Sequence, residues 1–417
     1  MPPLRVVYLL LHFPYLTETF VAQEIKAVRD QNVDVQIVSL LEADKRPPQS
    51  LSQQLLPLCS YAPGLLSPAL WLAQFHFLFT AGGRYLSLLV RLLRCPYPAA
   101  PLSLLAKRLV IFLKAVAVAD QLRRQEVDLI HTHFAWLSGA AAWVCARLLD
   151  KPFTVTAHAY DIFATDDLLA LVAAEANSLV TISEFNRRYI AQCGVRSAEE
   201  IAVIRCGVDL STIQPAEERD AEPANSGPLR VLAVGSLNRK KGHRYLIEAC
   251  HLLKQAGRAV SCTIIGDGAD QQNLRNLIAQ YGLDDRVTLA GAIPNHEIMQ
   301  AYRTHDLFAL ACVVAPNGDR DGIPVVMMEA GANGLPLVST AVSGIPELVQ
   351  HGQTGLVVPP ADARALAEAI AALAADPELR RRYGCAAKRL VEAEYGVVDN
   401  ARRLVELMHH VKQNTRS

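Results

Sequence analysis

The sequence carries no excess of either charge. Lysine plus arginine number 41 and aspartate plus glutamate 41, a formal net charge of zero. A protein that neutralises many backbone phosphates carries a basic surplus, so nucleic acid is excluded as the main partner. No C-x-x-C pair occurs among nine scattered cysteines. That excludes a zinc ribbon or a disulfide framework and points to a reducing, cytoplasmic setting. No apolar run reaches the ~20 residues of a spanning helix; the stretch Leu65 to Thr80 is broken by Pro68, Gln74 and His76. The opening run Leu4 to Leu11 is short and no small-residue cleavage site follows it, so it reads as a buried strand, not a secretory signal. No G-x-G-x-x-G follows that strand, which argues against a nicotinamide oxidoreductase. Short-period repeats and low-complexity tracts are also missing.

What is present is length and alternation. With 417 residues, 51% of them hydrophobic, the chain divides naturally into two domains that can each bury a core. Short β-branched runs alternate with helical patterns: Arg5–Leu11, Val33–Leu40, Val127–His131, Phe153–Ala157, Leu179–Ile182 and Ile201–Ile204. A stretch without periodicity around Gln214 to Pro228 reads as a linker. The alternation then restarts at Leu229–Gly235, Ala259–Gly266, Arg286–Ala290, Asp306–Ala311, Pro336–Ser339 and Gly355–Val358. Strands alternating with helices predict parallel sheets covered on both faces, hence two doubly wound α/β domains. The expected boundaries are 1–210, a linker at 211–228, and 229–396, with a last helix at about 397–413 returning to the first domain. Ligands of such folds bind beyond the carboxyl ends of the strands, so the cleft between the domains is the expected site.

The segment Leu65 to Arg124 is helical in pattern and places Lys107, Arg108 and Lys114 near one edge of an apolar helix. Two readings stand for that edge: a membrane-surface patch attracted to anionic lipid, or the solvated rim of an ordinary domain helix.

The most informative stretch runs from Asp321-Gly322-Ile323-Pro324-Val325 through Glu329 to Gly334-Leu335-Pro336. Pro324 suits the first position of a helix and Gly334 its end, which predicts a short helix from about Pro324 to Asn333. The N-terminus of such a helix offers unpaired N–H groups to an anion. Asp321 and Glu329 are eight residues apart, about 12 Å along a continuous helix. Carboxylates that far apart can hold hydroxyls at opposite ends of one extended ligand with a diphosphate between them. A nucleotide-sugar has that layout.

Two acids eight positions apart, followed by Ala330-x-Ala332-x-Gly334-x-Pro336, resemble the signature of the family-4 retaining glycosyltransferases of GT-B fold. Val234 to Gly242, Ile265-Gly266-Asp267-Gly268, Ser343-Gly344-Ile345-Pro346-Glu347, Thr181-Ile182-Ser183-Glu184 and Cys206-Gly207-Val208-Asp209 are similar to that family as well. The Asp-Gly-Ile-Pro variant, with Phe13-Pro14 and Thr17-Glu18-Thr19-Phe20, resembles the bacterial exopolysaccharide branch of colanic-acid type.

The resemblance implies a fold of two Rossmann-like domains and a retaining transfer of a hexose from a nucleoside-diphosphate sugar. It implies as acceptor a saccharide or lipid-linked saccharide, and neither metal nor cofactor. It assigns Glu329 to the ribose hydroxyls, Asp321 to the donor sugar, and Gly322, Ile323 and Val325 to the helix tip. Asp321 departs from the family's usual glutamate. Lys241 meets the diphosphate and neutralises the leaving group. The family's arginine after Gly235 is Ser236 here, leaving Arg239 or Lys240 to supply a second cation. His158 implies a catalytic contact with the donor sugar from the first domain. His131 and His133 alternate on one strand and share a face; zinc stays open on spacing, with no third ligand evident. His133, Thr17 and Glu18 are acceptor candidates, Thr17 and Glu18 equally readable as a helix cap and first-turn acid. Glycosidase-like paired carboxylates are not visible, which disfavours double displacement. The competing readings are a weak or inactive GT-B carbohydrate-binding scaffold, because of Ser236, and an epimerase-like GT-B enzyme.

Overall fold

The structure is a computed structural model and describes residues 3–15, 18–43, 50–94, 101–165, 168–213 and 227–415. The chain forms two compact units, Met1–Cys206 with Val397–Ser417, and Gly207–Gly396. The first division falls four residues before the expected one, because Val208 bridges to Gly396 within the second unit. Most of the expected linker lies outside the described residues.

Among the described residues the first unit holds seven parallel strands: β1 (Leu4–His12), β2 (Val33–Leu41), β3 (Cys59–Tyr61), β4 (Leu129–His133), β5 (Phe153–Ala157), β6 (Ser178–Thr181) and β7 (Ile201–Val203), in the order β3-β2-β1-β4-β5-β6-β7. Alternate side chains of β1 build both layers. Val6, Tyr8 and Leu10 face the helices Thr19–Arg29 and Val397–Asn414, whereas Val7 and Leu9 face Leu102–Leu122 and Leu137–Leu149. Burial on both faces is why β1 reads as a continuous apolar run. The helix Val397–Asn414 packs on Thr19–Arg29 through Leu404 and Met408, and Lys412 pairs with Asp128 at 2.7 Å.

Among the described residues the second unit holds six parallel strands: β8 (Leu229–Val234), β9 (Val260–Ile265), β10 (Val287–Gly291), β11 (Leu307–Leu310), β12 (Leu337–Thr340) and β13 (Gly355–Val358), ordered β10-β9-β8-β11-β12-β13. The helix Val325–Ala332 begins after Pro324 and ends at Asn333 and the left-handed Gly334 (φ 75°).

Three sequence expectations need correction. The edge strand β3 was missed, since three residues are too few to show alternation. The fourth strand is Leu129–His133, two residues later than expected, with Ile130 opposite Phe153 and His133 opposite Thr156. The basic edge at 107–114 is not a surface feature. Arg108 is fully buried and Lys114 is buried with its Nζ donating to Pro63 O at 3.2 Å, which leaves only Lys107 exposed.

Candidate functional site

In the second unit β8 turns through Gly235-Ser236-Leu237-Asn238 into a 3₁₀ turn, Arg239–Lys241, and then through Gly242 into the helix His243–Gln255. Gly242 has φ 66°, and a Cβ there would lie 1.7 Å from Ala311 O, so only glycine fits. Leu237 N–H donates to Asp267 O at 2.7 Å and Asn238 Nδ2 to Ser236 Oγ at 2.9 Å, which fixes the turn.

The stem of Lys241 lies along Gly235, and its Nζ stands 3.0 Å from Asp321 Oδ2. Cys312 Sγ donates to the same oxygen at 3.5 Å, and Lys240 Nζ lies 3.9 Å from Asp321 Oδ1. Burial alone raises a carboxyl's pKa, but the ammoniums of Lys241 and Lys240 outweigh it and hold Asp321 below its ordinary value. Burial likewise disfavours the Lys241 ammonium, and Asp321 overcomes it. The two are an ionised pair.

Lys240, one candidate for the second cation, is engaged with Asp319 at 3.0 Å. Arg239 is exposed and lines an open cavity of about 320 Å³ with Asn238, Lys240, Asn317 and Asp319. A larger cavity of about 540 Å³ lies elsewhere, between Ser178 and His410, away from every candidate residue.

At the helix Val325–Ala332 no side chain caps the N-terminus; Met327 N–H donates to Pro324 O at 3.0 Å, and the first two helical positions follow buried Gly322 and Ile323, with Val325 half-buried. Glu329 Oε2 accepts from Tyr302 Oη at 2.9 Å. Burial raises the Glu329 pKa, and the tyrosine bond offsets part of that rise.

His243, the first residue of its helix, escaped sequence reading because a lone histidine after Gly242 forms no motif. Its imidazole is buried, facing the Gly235 and Ser236 backbone beyond good hydrogen-bond geometry. Burial, then the Lys241 ammonium, pushes its pKa down to about 4, so it is neutral at pH 7.

The first unit builds its own cluster at the carboxyl ends of β4 and β5. His133 Nδ1 lies 3.0 Å from His158 Nε2, and His133 Nε2 lies 3.1 Å from Glu24 Oε1. Tyr8 Oη donates to Glu24 Oε1 at 3.0 Å, and His131 Nδ1 meets Thr154 Oγ1 at 2.8 Å. Phe20 packs on His158 with ring centroids 5.0 Å apart. Burial raises the Glu24 pKa, but His133, His131 and Tyr8 together bring it down to about 2. Burial drives His158 well below its ordinary value, with His133 adding to the shift. Asp161 accepts from the His158 N–H at 2.8 Å, yet burial pushes it up to about 7.

Glu24, which spacing did not reveal, meets His133 from 109 positions earlier in the chain. Among the described residues, Glu24, His131 and His133 have their ligand atoms within 4.8 Å of one another, a geometry that a metal could use. The chain's own hydrogen bonds already occupy Glu24 and His133.

Glu18 precedes the helix Thr19–Arg29 without capping it through its side chain. Burial raises its pKa to about 7, with His133 opposing. Thr17 lies outside the described residues.

Comparison with known proteins accounts for both units. Residues 17–212 match the model of Glycosyltransferase Family 4, and residues 215–390 that of Glycosyl transferases group 1. The amylovoran biosynthesis glycosyltransferase of Erwinia amylovora is 31% identical over 436 residues, covering 98% of this chain and 100% of that protein. The chain belongs to the family-4 glycosyltransferases. A provisionally named colanic acid biosynthesis glycosyltransferase of Salmonella typhimurium shares 32% identity over 396 residues, 88% of this family-4 chain and 90% of its own. Anabaena HepE, solved with UDP and glucose, superposes at TM-score 0.69 with 18% identity, over 98% of this chain and 100% of its own. That likeness shows the fold, which is GT-B.

Proposed function

We propose that this family-4 glycosyltransferase moves a hexose from a nucleoside-diphosphate sugar to a growing, lipid-linked saccharide in exopolysaccharide assembly, with retention of anomeric configuration. The names of the amylovoran and colanic acid relatives support that pathway class. The observation that carries the reading is the largely buried Lys241–Asp321 pair at the glycine turn after β8. An ammonium held there is preorganised for a diphosphate, and its partner carboxylate for sugar hydroxyls.

In this reading the acceptor hydroxyl oxygen attacks the anomeric carbon on the face that the diphosphate leaves. The carbon–oxygen bond to phosphate breaks, and the leaving phosphate oxygen takes the acceptor proton. Lys241, the N–H groups after Pro324 and the exposed Arg239 balance the developing charge, so no metal is required. Glu329 is assigned to the ribose and His158 to the donor sugar. Glu18 and His133 meet the acceptor. The lipid of the acceptor keeps the enzyme on the inner face of the plasma membrane.

The test is nucleotide release from a panel of nucleotide-sugars, with and without a lipid-linked saccharide acceptor. The anomer of the product is read by NMR. Acceptor-dependent release with an inverted product rejects retention. Ser236 favours a second reading, a non-catalytic carbohydrate-binding protein; binding without release under every donor establishes that one instead.

A further inference from the structure

The helix Pro68–Thr80 contains no charged residue. One stripe, Leu70, Ala73, Gln74 and Phe77, is buried. The facing stripe, Trp71, Leu72, Phe75, Leu78 and Phe79, follows the i, i+1, i+4, i+7, i+8 spacing of a single helix face and is exposed. Phe79 is 83% exposed, and Leu66 just before the helix 97%. A helix that is apolar all round belongs in a core or in lipid, and a contiguous exposed patch of this kind marks an interaction surface.

Charge selects the occupant. No aspartate or glutamate occurs between Asp44 and Asp120. Exposed Arg94 follows the helix Gly82–Leu93, and exposed Lys107 lies on Leu102–Leu122, the two helices packed against this one. Asp150 and Glu175, which reach the helix Gly82–Leu93 from elsewhere in the chain, are engaged by Arg84 and Arg91, so an anionic headgroup layer would meet Arg94 and Lys107 beside the apolar stripe. The stripe's one polar atom, Trp71 Nε1, is already satisfied by Leu65 O at 2.9 Å, and Gln74 is bonded inward to Leu70 O and Leu113 O. No polar group remains on the stripe to form the hydrogen-bonded rim of a protein interface.

We propose that this face inserts into the headgroup–acyl boundary of an anionic bilayer with the helix lying in the membrane plane. The inference rests on the lipid-linked acceptor of the proposed function and identifies the surface that reaches it. It places that surface at residues 66–79, not at the 107–114 edge, for which the sequence offers a membrane patch as one of two readings.

The test is flotation of the full chain with phosphatidylethanolamine–phosphatidylglycerol vesicles, beside phosphatidylcholine vesicles. The expected result is binding to both, stronger to the anionic ones, with a blue shift of Trp71 emission. The triple variant Leu72→Ser/Phe75→Ser/Phe79→Ser should lower vesicle partition at least about tenfold, while Val398→Ser, at an exposed apolar residue elsewhere, changes nothing. A chain that stays with the vesicle-free fraction overturns the proposal. So does a triple variant that binds like wild type, or one whose only change is the dissociation of a dimer. Transfer to a soluble saccharide acceptor separates the two ideas. If it persists without flotation, only the membrane face is wrong. If flotation occurs without any transfer, the proposed activity is wrong.

Discussion

Lys241 Nζ and Asp321 Oδ2 stand 3.0 Å apart with both side chains largely withdrawn from water. Eighty positions separate them in the chain, so the ammonium that the proposed function assigns to a diphosphate already has a carboxylate partner. In that reading the donor shares the ammonium with Asp321, and the first predictions follow from this competition.

Asp321→Asn removes the competitor. Affinity for a free nucleoside diphosphate, which carries no sugar, should hold or rise a few-fold while turnover falls. Glu329→Gln should instead raise the dissociation constant of the free nucleotide roughly ten- to a hundredfold, since charge-assisted bonds contribute ~1.5–3 kcal/mol. Isothermal titration with nucleoside diphosphate decides it; equal effects of the two variants sink the assignment.

Lys241→Ala should lose about a hundred- to a thousandfold in turnover, the usual loss when one preorganised stabiliser of developing charge is removed. It should also cost stability, on the order of 3 kcal/mol, because Asp321 is left buried with Lys240 only at 3.9 Å. Adding Asp321→Asn should restore stability, but not turnover. Ser236→Arg supplies the family's usual cation and should partly rescue turnover. Denaturant melts and initial rates on the same four proteins separate the two losses. Full activity in Lys241→Ala would place the diphosphate elsewhere.

Burial raises Glu18 to about 7. Its carboxylate form, the better acceptor from a hydroxyl, gains population as pH rises through that value. The kcat/KM for the acceptor should therefore climb towards a plateau above about pH 7, and Glu18→Gln should flatten the climb. A wild-type profile that is flat from pH 6 to about 8, measured with saturating donor, removes Glu18 from the acceptor site.

Neutral His243 predicts an acid-side loss of stability. Its folded pKa of about 4 is below the unfolded value near 6.5, so the unfolded chain binds a proton that the folded chain refuses. Stability falls as pH drops through this window, by on the order of 3 kcal/mol at about 1.4 kcal/mol per pH unit. His243→Gln should reduce that slope in urea melts between pH 6.5 and about 4. An unchanged slope means the imidazole titrates normally.

Turnover should survive excess EDTA. Loss of activity that manganese or zinc restores would reject a metal-free reaction and point to Glu24, His131 and His133 as ligands.

The parts of this molecule that sequence reading reached are those written locally. Pro324 and Gly334 bracket a helix within ten residues, and continuous apolar runs mark strands buried on both faces. The parts it missed depend on distance along the chain. Glu24 meets His133 only because β1 and β4 are neighbours in the sheet, and Tyr302 reaches Glu329 from 27 positions away in the chain. The Asp319 partner of Lys240 belongs to the same class. Arg108 and Lys114 misled for a related reason: charge suggests surface, but long side chains run along an apolar core to a backbone oxygen such as Pro63 O.

The return of Val397–Asn414 to the first unit has a consequence for synthesis. Leu404 and Met408 complete the layer on Val6, Tyr8 and Ile25, so the half that emerges first from the ribosome cannot close its core until the last helix has been made. The second unit, continuous from Gly207 to Gly396, is released whole and has no such wait. Birth order and completion order are thus reversed. Until Val397–Asn414 has been made, the nascent first unit presents an apolar groove beside Thr19–Arg29, and a chain cut short before Val397 would carry that groove permanently, as a substrate for chaperones and proteases.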